Sequence, residues 1–229
     1  MRFSDMNFIH LMVSTLLIFM PISANTAEKI ENPADRETKL LFLGDSLTEG
    51  FGVEPEESFP ALIDTMLKQK GYRDVKMINA GISGSTTASA VSRLKWYLKM
   101  PSEMKPTTAS ETKKDILFLA LGANDGLRGL SLKEMEQNLN TTIEIALAAK
   151  MEIILAGMEI PPNYGDEYTR NFRDVFKNLA KRHKITLMPY LLKDVGGFDH
   201  LNLPDGVHPN AEGYKIVAAN VLPYILEKL

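Results

Sequence analysis

Beyond residue 37, hydrophobic residues alternate between short continuous runs and longer stretches with helical periodicity. The continuous runs predict five strands, over Lys39–Leu43, Asp74–Asn79, Asp115–Leu121, Glu152–Ala156 and Ile185–Pro189. The periodic stretches predict five helices, near Ser58–Lys70, Thr86–Lys99, Ser131–Lys150, Asp166–His183 and Asn210–Lys228. Continuous apolar runs are typical of strands covered on both faces. Strict alternation of strand and helix therefore predicts an α/β fold, a three-layer sandwich whose right-handed crossovers place helices on both faces of a five-stranded parallel sheet.

Two features interrupt this pattern. The stretch Met100–Lys114 is rich in Pro, Ser, Thr and charged residues, which predicts an exposed loop before the third strand. Pro223 lies inside the last helical pattern, where the loss of a backbone N–H should kink the helix or divide it in two.

The N-terminus has the pattern of a secretory signal. Its apolar run Phe8–Met20 follows a segment with one arginine and precedes small residues through Ala24 and Ala27. We therefore expect a signal peptide over residues 1–27, a linker over 28–36 and one α/β domain over 37–229. The mature chain would be periplasmic or secreted.

An uncleaved anchor is the alternative to a cleaved signal. Asp5 and His10 make the signal pattern imperfect. The apolar run is, however, shorter than the roughly 20 residues that span a bilayer. We therefore expect no stable membrane insertion of the mature chain.

Composition narrows the possible functions. The chain has 229 residues, of which 45% are hydrophobic, enough for the core of one α/β domain. Its 26 basic residues nearly balance 29 acidic ones, so the sequence indicates no nucleic-acid partner. Cysteine is absent and the four histidines are scattered, so we expect no metal or redox cofactor.

A serine and a histidine–aspartate pair stand at predicted loops. Ser46 follows the first strand, and Asp205 lies three residues before His208. A serine hydroxyl is a poor nucleophile unless a base lies within hydrogen-bond reach and a third group orients that base. Pro209 would restrict the backbone of His208 and begin the last helix. Alternatively, this segment is an ordinary loop before a helix that starts with proline.

Donors for a developing oxyanion are also available. The N–H groups of Ser46 and Gly84 and the side-chain amide of Asn124 all follow predicted strands, at the edge where parallel α/β sheets bind ligands. The alternatives are a turn-capping role for Asn124 and a phosphate-binding turn at Gly81–Gly84, although the latter lacks the Walker lysine. We interpret Asp45 and Asp125 as loop-bracing residues.

The motifs Gly44-Asp45-Ser46-Leu47, Gly84, Gly122-Ala-Asn124-Asp125 and Asp205-Gly-Val-His208 resemble, in order, the four sequence blocks of the SGNH (GDSL) hydrolase family. The resemblance implies a flavodoxin-like sandwich with Ser46 as nucleophile, His208 as base and Asp205 as its orienting acid. It also implies an oxyanion hole made by Ser46, Gly84 and Asn124. The absence of a Gly-x-Ser-x-Gly motif argues against the α/β-hydrolase family.

Further segments, Asn124–Gly129 and Ile160–Gly165 among them, are similar to the exported bacterial arylesterase, thioesterase and lysophospholipase branch. The resemblance implies hydrolysis of a small acyl ester, thioester or lysophospholipid, without a cofactor. One alternative is a carbohydrate or peptidoglycan O-acetylesterase. A catalytically silent binding module of the cell envelope is another, against which the complete set of site residues argues.

Overall fold

The computed structural model describes residues 37–99 and 114–229. The expected signal peptide, the linker over 28–36 and nearly all of the interrupting stretch lie outside these ranges. Those expectations stay predictions.

The described residues form one five-stranded sheet in which every pairing is parallel, in the order β2-β1-β3-β4-β5. The strands are β1 (Thr38–Gly44), β2 (Val75–Gly81), β3 (Ile116–Ala120), β4 (Glu152–Ala156) and β5 (Thr186–Met188). All five lie within two residues of their predicted bounds. The predicted α/β class is confirmed.

In the described parts of the chain, five long helices connect or follow the strands: α2 (Phe59–Gln69), α3 (Ala90–Lys99), α5 (Leu132–Ala148), α6 (Asp166–His183) and α7 (Ala211–Leu226). All five were predicted, and α6 has the predicted bounds. Two short helices, α1 (Ser46–Glu49) and α4 (Ala123–Leu127), were not predicted. They are too short to carry a hydrophobic period, and both lie at the candidate site.

Burial differs between the inner and outer strands. Every residue of β1 and β3 is buried, whereas the edge strand β2 is mostly half-buried or exposed. The expectation that all strands are covered on both faces therefore holds for the centre of the sheet only. Edge strands have a neighbour on one side, so their residues retain contact with solvent.

The helices form two groups. α2 contacts α7, while α5 contacts both α3 and α6. These groups cover the two faces of the sheet and bury the large side chains of the core, including Phe42, Phe118, Phe172 and Tyr214. The result is the predicted three-layer sandwich.

Helix α7 runs without interruption from Ala211 to Leu226 and includes Pro223. The predicted division of this helix is wrong: proline removes only its own backbone N–H, and Pro223 lies in the final turn, with three helical residues after it. Within residues 37–99 and 114–229, no helix has both the length and the apolar character needed to cross a bilayer.

Candidate functional site

The candidate site lies where the strand order reverses. β1 sits between β2 and β3, and its last residue, Gly44, pairs with Gly81 on one side and Ala120 on the other. The chain must therefore leave these carboxyl ends in different directions. Such a divergence opens a crevice beyond the sheet.

Ser46 is the first residue of α1, immediately beyond β1. The Asp45 carboxylate caps this helix by accepting a hydrogen bond from the N–H of Leu47 (3.0 Å). Gly44 is required here, since a Cβ would lie 1.9 Å from Oγ1 of Thr48. The nucleophile candidate is thus held by a tightly packed turn.

His208 links Ser46 to Asp205. Its Nε2 lies 2.8 Å from Oγ of Ser46, and its Nδ1 lies 2.7 Å from Oδ2 of Asp205. The other carboxylate oxygen, Oδ1, accepts the N–H groups of Val207 (2.8 Å) and His208 (3.0 Å). The structure therefore brings all three predicted residues into one hydrogen-bonded chain.

The charge of Asp205 determines which atom is the donor in each hydrogen bond of the His208 ring. Desolvation tends to raise the pKa of Asp205, but the N–H groups of His208 and Val207 and the adjacent imidazole outweigh it and lower this pKa to about 2. An ionised carboxylate only accepts hydrogen bonds, so Nδ1 of His208 donates to it. In a neutral imidazole Nε2 is then the acceptor, and it receives the hydroxyl of Ser46. This is the arrangement in which a histidine removes a proton from a serine.

Asp45 lies in the opposite environment. Burial raises its pKa to about 6, although the N–H of Leu47 and the charges of His208 and Arg93 act to lower it. Its contact with Leu47 agrees with the predicted bracing role. Asp125 is likewise buried, and it accepts hydrogen bonds from the N–H and hydroxyl of Thr87.

The three oxyanion donor candidates border the same cavity as Ser46. Gly84 has a left-handed backbone (φ 74°), which only glycine adopts easily. In the described parts of the chain, no group accepts a hydrogen bond from the N–H of Gly84 or of Ser46. Asn124 donates from Nδ2 to the carbonyl of Ser85 (3.1 Å), which leaves its second amide hydrogen for a ligand.

The cavity has a volume of about 640 Å³, is partly open to solvent, and has Ser46 and His208 in its wall. Most of its wall is apolar, formed by Phe51, Leu127, Met158, Ile160, Pro161, Pro162, Leu192 and Val207. The polar groups in its wall include Ser46, His208 and Asn124. Such a cavity suits a ligand with one polar, reactive group and an apolar remainder.

Several residues at the site escaped the sequence analysis. Glu49 and Arg128 bond to the loop that carries Gly84, and Phe51 packs its ring on His208 with centroids 4.6 Å apart. Arg93 donates to the carbonyl of Gly44 (3.0 Å) and to that of Ala80. None stands in a motif whose spacing points to these contacts. His200, the histidine nearest to His208 in the sequence, is exposed.

Residues 42–216 match the model of the GDSL-like Lipase/Acylhydrolase family. The chain is 34% identical to Esterase TesA of Pseudomonas aeruginosa, over 80% of this chain and 86% of the relative. It is 34% identical to an arylesterase of Vibrio mimicus (83% and 90%). Identity is 30% with Thioesterase 1/protease 1/lysophospholipase L1 of Escherichia coli K12 (78% and 79%).

Solved structures agree with this relationship. The crystal structure of TesA superimposes with a TM-score of 0.75 at 33% identity, over 84% of this chain and all of that one. The psychrotrophic esterase EstA of Pseudoalteromonas, inhibited by monoethylphosphonate, gives 0.74 at 30% identity (83% and 98%). Family, fold and hydrogen-bonded serine thus point the same way: the chain belongs to the GDSL-like lipase/acylhydrolase (SGNH hydrolase) family and is a carboxylic ester hydrolase.

Proposed function

We propose that Ser46, His208 and Asp205 hydrolyse acyl esters and thioesters through an acyl-enzyme on Ser46. The observation that supports this most directly is the hydrogen-bonded chain from Asp205 through His208 to the Ser46 hydroxyl, beside a mostly apolar cavity that Ser46 and His208 line. A serine without that chain would be an ordinary helix-start residue.

In the first half-reaction, Oγ of Ser46 attacks the carbonyl carbon of the substrate, and its proton passes to Nε2 of His208. The tetrahedral intermediate then expels the alcohol or thiol, which receives that proton, and the acyl group stays on Oγ. A water molecule repeats the sequence and releases the carboxylic acid with Ser46 restored. Asp205 stabilises the imidazolium formed in each half.

The oxyanion of both intermediates would be bound by the N–H groups of Ser46 and Gly84 and by Nδ2 of Asn124. Two of these donors lack a partner among the described residues, and the third has a hydrogen to spare. Donors already in place cost no reorganisation during the reaction, which is why such groups have large effects on rate.

The substrate we propose carries an apolar acyl group on a small alcohol or thiol. The apolar wall of the cavity supports this, as do the relatives named esterase, arylesterase and thioesterase/lysophospholipase. Lysophospholipids are included as candidate substrates. An O-acetylesterase of carbohydrates would not need an apolar cavity of about 640 Å³.

The test uses purified protein from residue 28 onward with p-nitrophenyl esters from acetate to palmitate, an acyl-thioester and a lysophospholipid. We expect turnover of acyl chains longer than acetyl, one equivalent of a phosphonate bound at Ser46, and loss of both in Ser46→Ala. Full turnover by Ser46→Ala would eliminate the mechanism. Activity confined to acetyl groups would favour the O-acetylesterase.

We also propose that the enzyme acts outside the cytoplasm after removal of residues 1–27. The support is the signal pattern around Phe8–Met20. Expression from Met1 in a Gram-negative host should give a periplasmic protein shortened by about 24 to 27 residues, measured by intact mass. A full-length chain in the membrane fraction would indicate an anchor instead.

A further inference from the structure

The loop that carries Gly84 is exposed, yet its position matters for the reaction proposed above. Ile82, Ser83 and Gly84 are all exposed, and a Cβ on Gly84 would meet a single atom within 4 Å, on Arg128. Packing against the core therefore does not hold this peptide. An oxyanion donor must nevertheless be in position before the charge develops.

Glu49 holds one side of the loop. One of its carboxylate oxygens accepts a hydrogen bond from the N–H of Ser83 (2.7 Å) and another from the Ser83 hydroxyl. Glu49 belongs to α1, the same short helix that begins with Ser46. The nucleophile and the peptide just before Gly84 are therefore tied to one rigid element.

Arg128 holds the other side. Its Nη2 donates to the carbonyl of Gly84 (3.1 Å) and lies 3.4 Å from Oδ1 of Asn124. One guanidinium nitrogen thus contacts the residues that supply two of the three proposed donors. Charged donors make stronger hydrogen bonds than neutral ones.

The contact with Asn124 also sets the direction of its amide. With Oδ1 toward Arg128, Nδ2 faces the carbonyl of Ser85 and keeps one free hydrogen. A flipped amide would place Nδ2 against the donors of Arg128 and Oδ1 against a carbonyl oxygen, and both contacts are repulsive. Arg128 therefore favours the orientation that an oxyanion donor needs.

Arg128 is itself on a braced segment. The hydroxyl of Tyr164 donates to the carbonyl of Leu127 (2.7 Å), and that of Tyr168 donates to the carbonyl of Leu130 (3.0 Å). The two tyrosine rings stack with centroids 6.3 Å apart. The backbone on each side of Arg128 is thereby fixed, which limits where its guanidinium can lie.

We propose that Glu49 and Arg128 are positioning residues that hold Gly84 and Asn124 in the geometry for binding an oxyanion. This inference rests on the proposed function, because it assigns no chemistry to Glu49 or Arg128 themselves. It predicts that substitution of either residue weakens stabilisation of the transition state but not binding of the substrate. The loss should be smaller than the loss from removing a donor outright.

The experiment measures kcat, KM and the Ki of an alkyl boronic acid, which forms a tetrahedral adduct with an active serine. In Glu49→Ala and Arg128→Ala we expect kcat to fall about 10-fold and Ki to rise about 10-fold, with KM within threefold, compared with about 100- to 1,000-fold in kcat for a lost donor. Glu49→Gln, which keeps an acceptor oxygen, should retain most of the activity. Arg128→Lys keeps the charge without the planar fork and should recover only part of it.

Matched controls are Glu56→Ala and Arg170→Ala, exposed residues of the same types outside the cavity lining, and both should behave as the unaltered protein. If the four Glu49 and Arg128 variants keep kcat and Ki within twofold, the inference is overturned. It is equally overturned if KM rises while kcat holds, because the residues would then bind substrate. Labelling of Ser46 by a phosphonate distinguishes failure of this inference from failure of the proposed function. If the unaltered protein is not labelled, the proposed function itself is wrong.

Discussion

The turn Gly44–Ser46 and the loop Leu203–His208 supply opposite ends of one hydrogen-bonded chain, yet different forces hold them. Gly44 and Asp45 are buried, and the peptide beyond them is tied to β2 by Asn79, whose Nδ2 donates to the carbonyl of Thr48 (2.9 Å). In the loop, most residues are exposed and the bonds are local. Leu203 donates to the carbonyl of His208 (2.7 Å) and accepts from Gly206 (2.9 Å).

This difference predicts which property a substitution in each region will change. The turn depends on tertiary packing, so a change there should act first on the free energy of unfolding. The loop is closed by its own hydrogen bonds, so a change there should act on the orientation of His208 while the fold persists. Five substitutions test this division.

The largest effect should come from Asp205→Asn. An asparagine oxygen can still accept the N–H groups of Val207 and His208, but its amide group would face Nδ1 of His208 and favour the wrong tautomer. We expect kcat to fall by about 10⁴-fold and the free energy of unfolding in urea to change by less than about 1 kcal/mol. Asp199→Asn, another exposed aspartate nearby, is the control. A protein that unfolds readily would show that the loop also supports the fold.

A pair of glycine substitutions compares the regions directly. In Gly44→Ala the new methyl group would overlap Thr48 and lie 3.1 Å from the carbonyl of Ala120, so we expect a loss of roughly 3 kcal/mol from overpacking. In Gly206→Ala nothing lies within 4 Å, and only the left-handed backbone (φ 69°) costs about 1 kcal/mol. Urea denaturation measures both values. Equal losses would contradict the division.

The pH dependence of stability should differ in sign between the two carboxyl groups. Burial raises the pKa of Asp45 from 3.8 to about 6, so between these values the unfolded chain has lost a proton that the folded chain keeps. The free energy of unfolding therefore falls as pH rises through this window. Asp45→Asn keeps the acceptor for Leu47 and should gain stability relative to the unaltered protein from pH 4 to 6, reaching about 2 to 3 kcal/mol.

For Asp205 the sign is reversed, because its pKa is lowered from 3.8 to about 2. Its contribution to stability, which solvent screening reduces because Asp205 is exposed, is present above pH 3.8 and is lost as pH falls toward 2. Urea midpoints of the unaltered protein, Asp45→Asn and Asp205→Asn across acid pH measure both slopes. A stability difference for Asp45→Asn that does not change between pH 4 and 6 would rule out the buried, protonated carboxyl.

The smallest effect should come from Phe51→Ala. Phe51 follows α1, is 47% exposed and packs on the ring of His208, so it joins the two regions at the cavity mouth. An aromatic contact of this kind is worth about 0.5 to 1.5 kcal/mol. We expect kcat/KM for long-chain esters to fall two- to tenfold with stability unchanged. Trp96→Ala, an exposed aromatic residue outside the cavity lining, is the control, and an equal loss there would indicate a general effect of surface hydrophobicity.

Long periodic segments were predictable from the sequence, and short ones were not. The strands β1 to β5 and the helices α2, α3, α5, α6 and α7 each contain an apolar run or an apolar face, and that pattern is visible without coordinates. The helices α1 and α4 bury too few residues to produce a period. They exist because Asp45 and Gly122 begin them at the ends of packed strands.

The sequence by itself determined the layered α/β architecture and identified Ser46, Asp205, His208, Gly84 and Asn124 as candidates, because each of these follows from local pattern or from a short motif. Only the tertiary structure brought His208 within 2.8 Å of Ser46, 162 residues away in the chain. It alone also revealed the contacts of Glu49 and Arg128 with the Gly84 loop. Contacts of this kind form where separate elements end beside one another at a sheet edge. The spacing of residues along the chain does not predict how close such residues lie in space.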